Sequence, residues 1–451
     1  MMSRIIGLEV EYGLIGICAD GSAIDDETLG AALFDRIQRR SGHRDIFLEN
    51  GGRLYLDVGN HPEYATPECI DPLDAITYER AGMTIMHKLV QRTQTKLTEA
   101  MGQPVMLHLL RNNVDSHGHS WGYHENYSVD RAGDYRRLVS LLLPFLVTRQ
   151  LISGTGHLMT TAHGEYRYVI SQRAFHIADG LSDETTHHRP FINDRDETHA
   201  DPSQWRRLHV IGGDTPMHTY QAWLSLAITQ LVLDVIESGA VWREFNLANI
   251  GRALRTIAQD LTGRQRVDLE GGRAASALDI QWAYCERIGQ WIEAGHGNPM
   301  NRHVHHEWVQ TLNGLEANPM EMADRLDWVL KYQMLLDYKQ RHQLSVHDAR
   351  LALIDMHYHH CDPNIGLFWR AQEKGHTVQC VDDDVIADAM VIPPSNTRAS
   401  IRGRFITAAN QANVPWEAGW AQVKAMGVVY DMMNPFTTHD ERVESLIRKF
   451  A

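Results

Sequence analysis

The sequence predicts an α+β fold: a largely antiparallel sheet with helices packed against it, and a small C-terminal domain. Three observations carry that expectation. Short alternating segments gather in the first third of the chain, long helical periodicities fill the middle third, and few strands and helices follow one another in a regular β-α-β order. The 451 residues are 43% hydrophobic and 22% charged, which is enough apolar material for a large core and too little charge for a disordered chain.

Along the chain, "RIIGLEVEYGLIGI" alternates as a strand and "LGAALFDRIQRR" has helical spacing. "IFLENGGRLYLDVG" reads as two strands joined at Asn50-Gly51, an antiparallel hairpin. Residues 74–100 carry helical periodicity, "VMLHLLRNNVDS" is a strand entering a polar loop, and "GHSWGYHENYSVDRAG" is loop, short strand and turn. Helices are expected over 136–152, 217–238, 277–295 and 320–342, with strands "RYVIS" and "RLHVIGG" between them. "IPPSNTRAS" at 392–400 cannot continue a helix, so the expected division is 1–392, a catalytic domain, and 393–451, a small C-terminal domain.

Charge and cysteine usage narrow the partners. A net charge of −14 argues against broad binding to nucleic acid or an anionic membrane, because both require a basic face. The most apolar run, Tyr220 to Ile236, is broken by Gln221, Ser225, Gln230 and Asp234 and reads as a buried helix, not a membrane span. The opening "MMSRIIGLEVEYG" lacks the apolar stretch of a secretory signal. Five widely spaced cysteines without a C-x-x-C pair suit a reducing cytoplasm. The 26 histidines form no zinc motif, and "MHYHHCD" lacks a matching second half.

The chemistry concentrates in a few stretches. Glu9 and Glu11 are two apart, so on a strand they share a face and repel unless a cation or an arginine lies between them. In "RLYLDVGNHPEY", Arg53, Tyr55 and Asp57 share a face, and the following turn returns His61 and Glu63 to the same neighbourhood. Glu9, Glu11, Tyr55 and Glu63 could form the oxygen shell of a hard cation such as Mg²⁺. Asp57 is either a base or a surface partner of Arg53. "RNNVDSHGHSWGYHENYS" sets Asn112, Asn113, Asp115, His124, Glu125 and Asn126 among glycines, a polar loop by default. Arg173, Arg195, Arg206, Arg207, Arg398 and Arg402 recur beside acids, singly as ion pairs and together as a polyphosphate site. There is no P-loop, so an ATP site would be of another type.

These blocks, with "NGGRLYLDVGNHPEYATPEC", "LLPFLVTRQLISGTG", "SQRAFHI", "RDETHAD", "RRLHVIGGD" and "PPSNTRASIRGRF", occur in an order and over a span that resemble the Pup ligase and Pup deamidase/depupylase family, itself related to glutamine synthetase. The resemblance implies a glutamine synthetase-like sheet cradling ATP and Mg²⁺. It also implies an ATP-dependent ligase that phosphorylates the C-terminal glutamate of a small Pup-like, ubiquitin-like modifier and joins it to a lysine of a target protein. Carried over by motif, Glu9, Glu11, Tyr55, Glu63 and His209 are metal ligands and Asp57 is the catalytic aspartate. Arg53, His124, Asn126, Arg173, Arg195, Arg207, His209, Arg398 and Arg402 are then nucleotide-site residues.

"LDVGNHPEY", and only about 35 residues between "EYG" and "NGGRLY", resemble the ligase branch and not the hydrolase. The alternatives are a modifier deamidase or depupylase, a glutamate–amine ligase for a small substrate, and a degenerate binding module. The chain departs from the family at Arg111, Asp194, Thr198, Pro216 and Thr219, positions expected near the active face and hence bearing on the modifier or acceptor.

Overall fold

The computed structural model describes residues 4–41, 44–57, 59–161, 164–184, 188–240 and 244–450. Its centre is an eight-stranded sheet. The strands, numbered here in chain order within that sheet, are β1 (Ile6–Glu11), β2 (Asp45–Phe47), β3 (Arg53–Leu56), β4 (Pro62–Ala65), β5 (Tyr123–Asp130), β6 (Asp179–Ser182), β7 (Pro190–Asn193) and β8 (Trp205–Val210). Their spatial order is β6-β7-β8-β5-β1-β4-β3-β2, and each adjacent pair is antiparallel except β6 with β7.

The register separates two faces. Opposite residues in an antiparallel pair point the same way, so Glu9↔His124, Glu11↔Glu63, Tyr55↔Glu63 and Asn126↔His209 commit these side chains to one face. Their neighbours Leu8, Val10, Leu54, Tyr64, Tyr127 and Leu208 are buried on the other. That second face is covered by the helix Pro72–Met101, which approaches so closely at Gly82 that a Cβ there would stand 2.0 Å from the Tyr64 ring. Behind it runs Thr219–Glu237, buried nearly all round, as expected of a core helix. Glu125 belongs to this buried side: Arg149 pairs with it at 2.6 Å and Tyr127 donates to it at 2.7 Å. Its expected place in a polar loop is therefore wrong, because strand β5 alternates its side chains through "YHENY".

Two other expectations need correction. The alternating N-terminal run is two strands and not one: after Tyr12 the chain leaves the main sheet, and Gly13–Cys18 pairs with Ala23–Ile24 and Val105–Leu110 in a separate three-stranded sheet. The helix Pro299–Ala317 was not expected. Its start is marked by Asn298, whose side chain accepts from the Asn301 N–H, and by Pro299 in the first turn. The hairpin at Asn50-Gly51 is present, with Gly51 at φ +82° and the pairing Phe47↔Arg53.

The C-terminal part forms a small sheet domain. The helix Ala399–Gln411, the three-stranded sheet Trp416–Ala418, Gln422–Ala425 and Val428–Asp431, and the helix Glu441–Ile447 share a core of Ile401, Phe405, Val423, Val443 and Leu446. Phe47 from β2 completes that core, so the unit is built onto the edge of the main sheet.

Candidate active site

The polar face of the sheet gathers two clusters of metal-ligating groups. In the first, Glu9, His124 and His209 place one ligating atom each within 4.8 Å of the others. His124 Nδ1 lies 3.1 Å from Glu9 Oε2, and His209 Nε2 lies 3.4 Å from the same oxygen. In the second, Glu11, Asp57 and Glu63 do the same. The clusters adjoin, since His124 Nε2 is 4.0 Å from Glu11 Oε1.

Electrostatics distinguish them. Burial alone would raise the Glu9 carboxyl, but the charge of Arg207 and the two imidazoles override it and hold Glu9 well below the usual carboxylate range. Burial lowers His209 to about 4, so its imidazole is neutral at physiological pH, and its Nε2 is buried with no hydrogen-bond partner. Glu63 goes the other way. Burial, then the charges of Glu11, Glu9 and Asp57, push it well above its ordinary value. Burial, then the charges of Glu63, Glu9 and Asp57, raise Tyr55, which keeps its proton and donates it to Glu63 Oε1.

Around the clusters, Arg207 is fixed by Nε to Asn126 Oδ1 at 2.6 Å and Nη2 to Glu9 Oε1 at 2.8 Å. Beside it opens a cavity of about 100 Å³, whose walls include Gly7, Thr66 and Asn126 of the sheet region and Arg398, Trp420 and Pro435 of the C-terminal region. Gly122, one of the glycines that the sequence suggests for close backbone approach to a ligand, donates its N–H to Glu11 Oε1 at 2.8 Å. A side chain there would collide with His124 and Glu11, at 2.2 and 2.5 Å from its Cβ. The tight run of "SWGYHEN" was the available signal.

The other expected site residues fall into distinct places. Arg53 stacks on Tyr55 at 4.6 Å but pairs with Asp45 at 2.6 Å, which leaves Asp57 to the carboxylate cluster and removes the reading of Asp57 as a surface partner of Arg53. Arg173 is 2% exposed, its terminal nitrogens bonded to the carbonyls of Trp121 and Ile211. Burial, then the charge of Arg189, lowers it to about 10. The side chain of Arg195 is exposed on the loop after β7. Arg398 borders the cavity and donates to Glu68 Oε1 at 2.7 Å. Arg402 is fully buried behind it, bonded to Glu68, Gly51 O and Trp420 O. Val58, whose spacing separated ligase from hydrolase in the sequence, lies outside the described residues.

Of the departures from the family pattern, Thr198 lines the cavity and Asp194 pairs with Arg206 at 2.7 Å. Arg111 is instead a core residue, fully buried against Glu79 at 2.6 Å and the carbonyl of Pro216 at 2.8 Å. Thr219 opens the core helix and accepts from Cys380 N–H at 3.0 Å. These last three hold the core together and are not exposed at an active face.

A cradle of carboxylates, imidazoles and an anchored guanidinium beside a cavity is suited to a metal-bound polyphosphate. Comparison with known proteins gives the family. The family model described as Pup-ligase protein matches residues 4–424. The Pup–protein ligases of Actinosynnema mirum and Saccharomonospora viridis are each 41% identical over 452 residues, covering 99% of both chains. That of Kribbella flavida is 40% identical over the same coverage. Among solved structures, the complex of the prokaryotic ubiquitin-like protein Pup with its ligase PafA superposes with a TM-score of 0.93 at 34% identity, covering 99% of this chain and 91% of that one. PafA in complex with ADP gives 0.86 at 34% identity, covering 95% and 94%. With a matching family model over most of its length and relatives at this identity from end to end, the chain belongs to the Pup-ligase family.

Proposed function

We propose that the polar face of the sheet binds Mg²⁺ and ATP, and that Asp57 accepts the proton of the lysine ammonium that attacks the activated glutamate of a Pup-type modifier. ATP-dependent joining of such a modifier to target proteins is the activity of the family, and this chain is an enzyme of that class. The observation that carries the assignment of roles is the unbalanced Glu11–Asp57–Glu63 cluster: two buried carboxylates and a half-buried one, with no Lys or Arg paired to them among the described residues, fit a hard divalent ion. Glu9, His124 and His209 would hold one metal position; Glu11 and Glu63 would hold another, with Tyr55 orienting Glu63 through its hydrogen bond.

When bound, Mg²⁺ offsets the charge of the polyphosphate, and ATP supplies the phosphoryl group that activates the glutamate carboxylate. Arg207 arrives pre-oriented by Asn126 and Glu9, so it can meet phosphate oxygens without first ordering a flexible chain. His209, neutral at physiological pH, keeps the lone pair of one ring nitrogen free for a metal. Arg398 and Trp420 close one side of the nucleotide cavity, and Arg53, Arg173 and Arg195 are assigned only to its surroundings. Asp57 begins the turn after β3 and can meet an ammonium whose ordinary pKa of about 10.4 makes it unreactive until deprotonated. The boundary of the C-terminal unit is placed at 392/393, supported by its separate core. The five free cysteines support a cytoplasmic location, and no helix among the described residues is long and apolar enough to cross a membrane.

Incubating the protein with ATP, Mg²⁺, a Glu-ended Pup and a lysine-bearing acceptor yields higher-mass conjugates and ADP. Asp57→Asn lowers conjugation by about 10²–10⁴-fold with ATP–Mg²⁺ affinity, read by titration calorimetry, nearly unchanged. Release of ammonia from a Gln-ended Pup without ATP turnover, in place of conjugates, would return the hydrolase reading.

A further inference from the structure

We infer that His61 and Trp121 form a latch that fixes Asp57 for transfer to the amine, so that both are positioning residues; the inference rests on Asp57 being the base. Three carboxylates converge within 4.8 Å, and two of them are held by their strands: Glu63 within β4 and Glu11 within β1, its Oε1 also accepting from Gly122 N–H. Asp57 lies beyond the end of β3, where only the turn holds it against the repulsion of its neighbours.

That turn closes through Asp57 N–H to His61 O at 3.0 Å and Asn60 N–H to Asp57 O at 3.1 Å, with Gly59 at φ +91° and Asn60 at φ +62°. Its far end is pinned by His61. The imidazole stacks on the Trp121 indole with centroids 4.9 Å apart and planes 24° from parallel, and Nδ1 lies 3.3 Å from Tyr12 O. Trp121 is itself immobilised: its N–H donates to Asn113 O at 3.1 Å, and its carbonyl accepts from Asn113 Nδ2 and Arg173. The next residue is Gly122, which holds Glu11. A single dipeptide thus orients one carboxylate by its backbone and another by its ring. Among the described residues the indole N–H of Trp121 has no partner, and the ring meets His61 through its face.

In the transfer step the amine nitrogen forms the C–N bond, phosphate leaves with the C–O bonding pair, and the amine proton passes to Asp57. Displacing the base by about 1 Å is enough to slow such a step about 100-fold. A nucleophile that is unprotonated at neutral pH, hydroxylamine, needs no base and serves as the control.

His61→Ala and Trp121→Ala should lower transfer to a lysine acceptor by about 10- to 100-fold. Hydroxamate formation from the Glu-ended Pup and the KM for ATP should stay within about twofold of wild type. Trp121→Phe, which keeps a stacking face, should retain transfer within about threefold. The double variant His61→Ala/Trp121→Ala should be no slower than the slower single variant, because one unit is broken once. Asp57→Asn runs in the same assay. If Asp57→Asn abolishes lysine transfer while His61→Ala leaves it intact, the latch is wrong and the base stands. If Asp57→Asn leaves lysine transfer intact, the base reading fails, and the latch with it. Equal loss of hydroxamate and lysine transfer in His61→Ala would also overturn the latch, because it marks general damage to the site. Should Trp121→Ala fail to fold, His61→Ala decides alone, since His61 is half-buried and its loss leaves the core intact.

Discussion

Glu63 and Glu68 stand five residues apart and are buried alike, at 2% and 6% exposed, yet their surroundings are opposites. Glu68 receives two guanidinium groups, Arg398 at 2.7 Å and Arg402 through two of its nitrogens. Burial would raise its carboxyl, but the two arginines prevail and bring it down to about 2. Glu63 meets a phenol and three other carboxylates, and is pushed up. A buried acid with its counter-charges supplied by the chain is architecture. A buried acid left short of positive charge is open to a cation the chain does not supply, and that lack is what the proposed metal site rests on.

The comparison can be broken most forcefully at Glu68. Glu68→Ala leaves two buried cations without their acid and should cost about 3–5 kcal/mol in urea unfolding. Activity per folded molecule at low temperature should fall far less than in Asp57→Asn. The same group gives a pH signature. Its folded pKa lies below the unfolded one, so the stabilisation is complete above about pH 4.5 and is lost as the pH falls toward 2. The stability difference between wild type and Glu68→Gln should shrink over that window. No such shrinkage would mean that the two arginines do not hold Glu68 charged.

At Glu63 the sign reverses. Removing its charge relieves repulsion, so Glu63→Gln should stabilise metal-free protein by on the order of 1 kcal/mol, read as a higher melting temperature, while abolishing the further rise on adding Mg²⁺. A metal-free variant less stable than wild type would sink the claim of an unbalanced cluster. The smallest effect belongs to the Arg53–Asp45 pair, about one-third exposed on each side. Asp45→Asn should change stability by less than about 1 kcal/mol, with the residue vanishing in high salt.

Much of this site was legible because strand alternation is a strict rule. Knowing that Glu9 and Glu11, or Arg53 and Tyr55, lie on strands fixes which way they point, and the observed register places each pair on one face as expected, whereas Asp57, expected on the same strand, lies beyond its end. The resemblance to a known family assembled the remaining members. What the sequence could not reveal depends on packing between distant segments. Nothing local distinguishes Arg402, fully enclosed against Glu68, from Arg207, which borders the cavity. Nor does a polar loop announce that its Trp121 will meet a histidine 60 positions earlier. The break after Tyr12 was hidden because alternation continues across it, and only the partners change. The helix Pro299–Ala317 was hidden because its apolar positions, Val304, Trp308, Leu312 and Leu315, are diluted by histidines and other polar residues.

The cavity beside Arg207 has walls drawn from segments far apart in the sequence, Gly7 and Thr66 on one side, Trp420 and Pro435 on the other. On the ribosome, residues of the cradle emerge hundreds of positions before those of its roof. Contacts of such sequence separation form late, after the loop-closure entropy has been met. A nascent chain therefore holds its acidic cradle open to solvent until the residues around Trp420 and Pro435 have been made and can close the cavity.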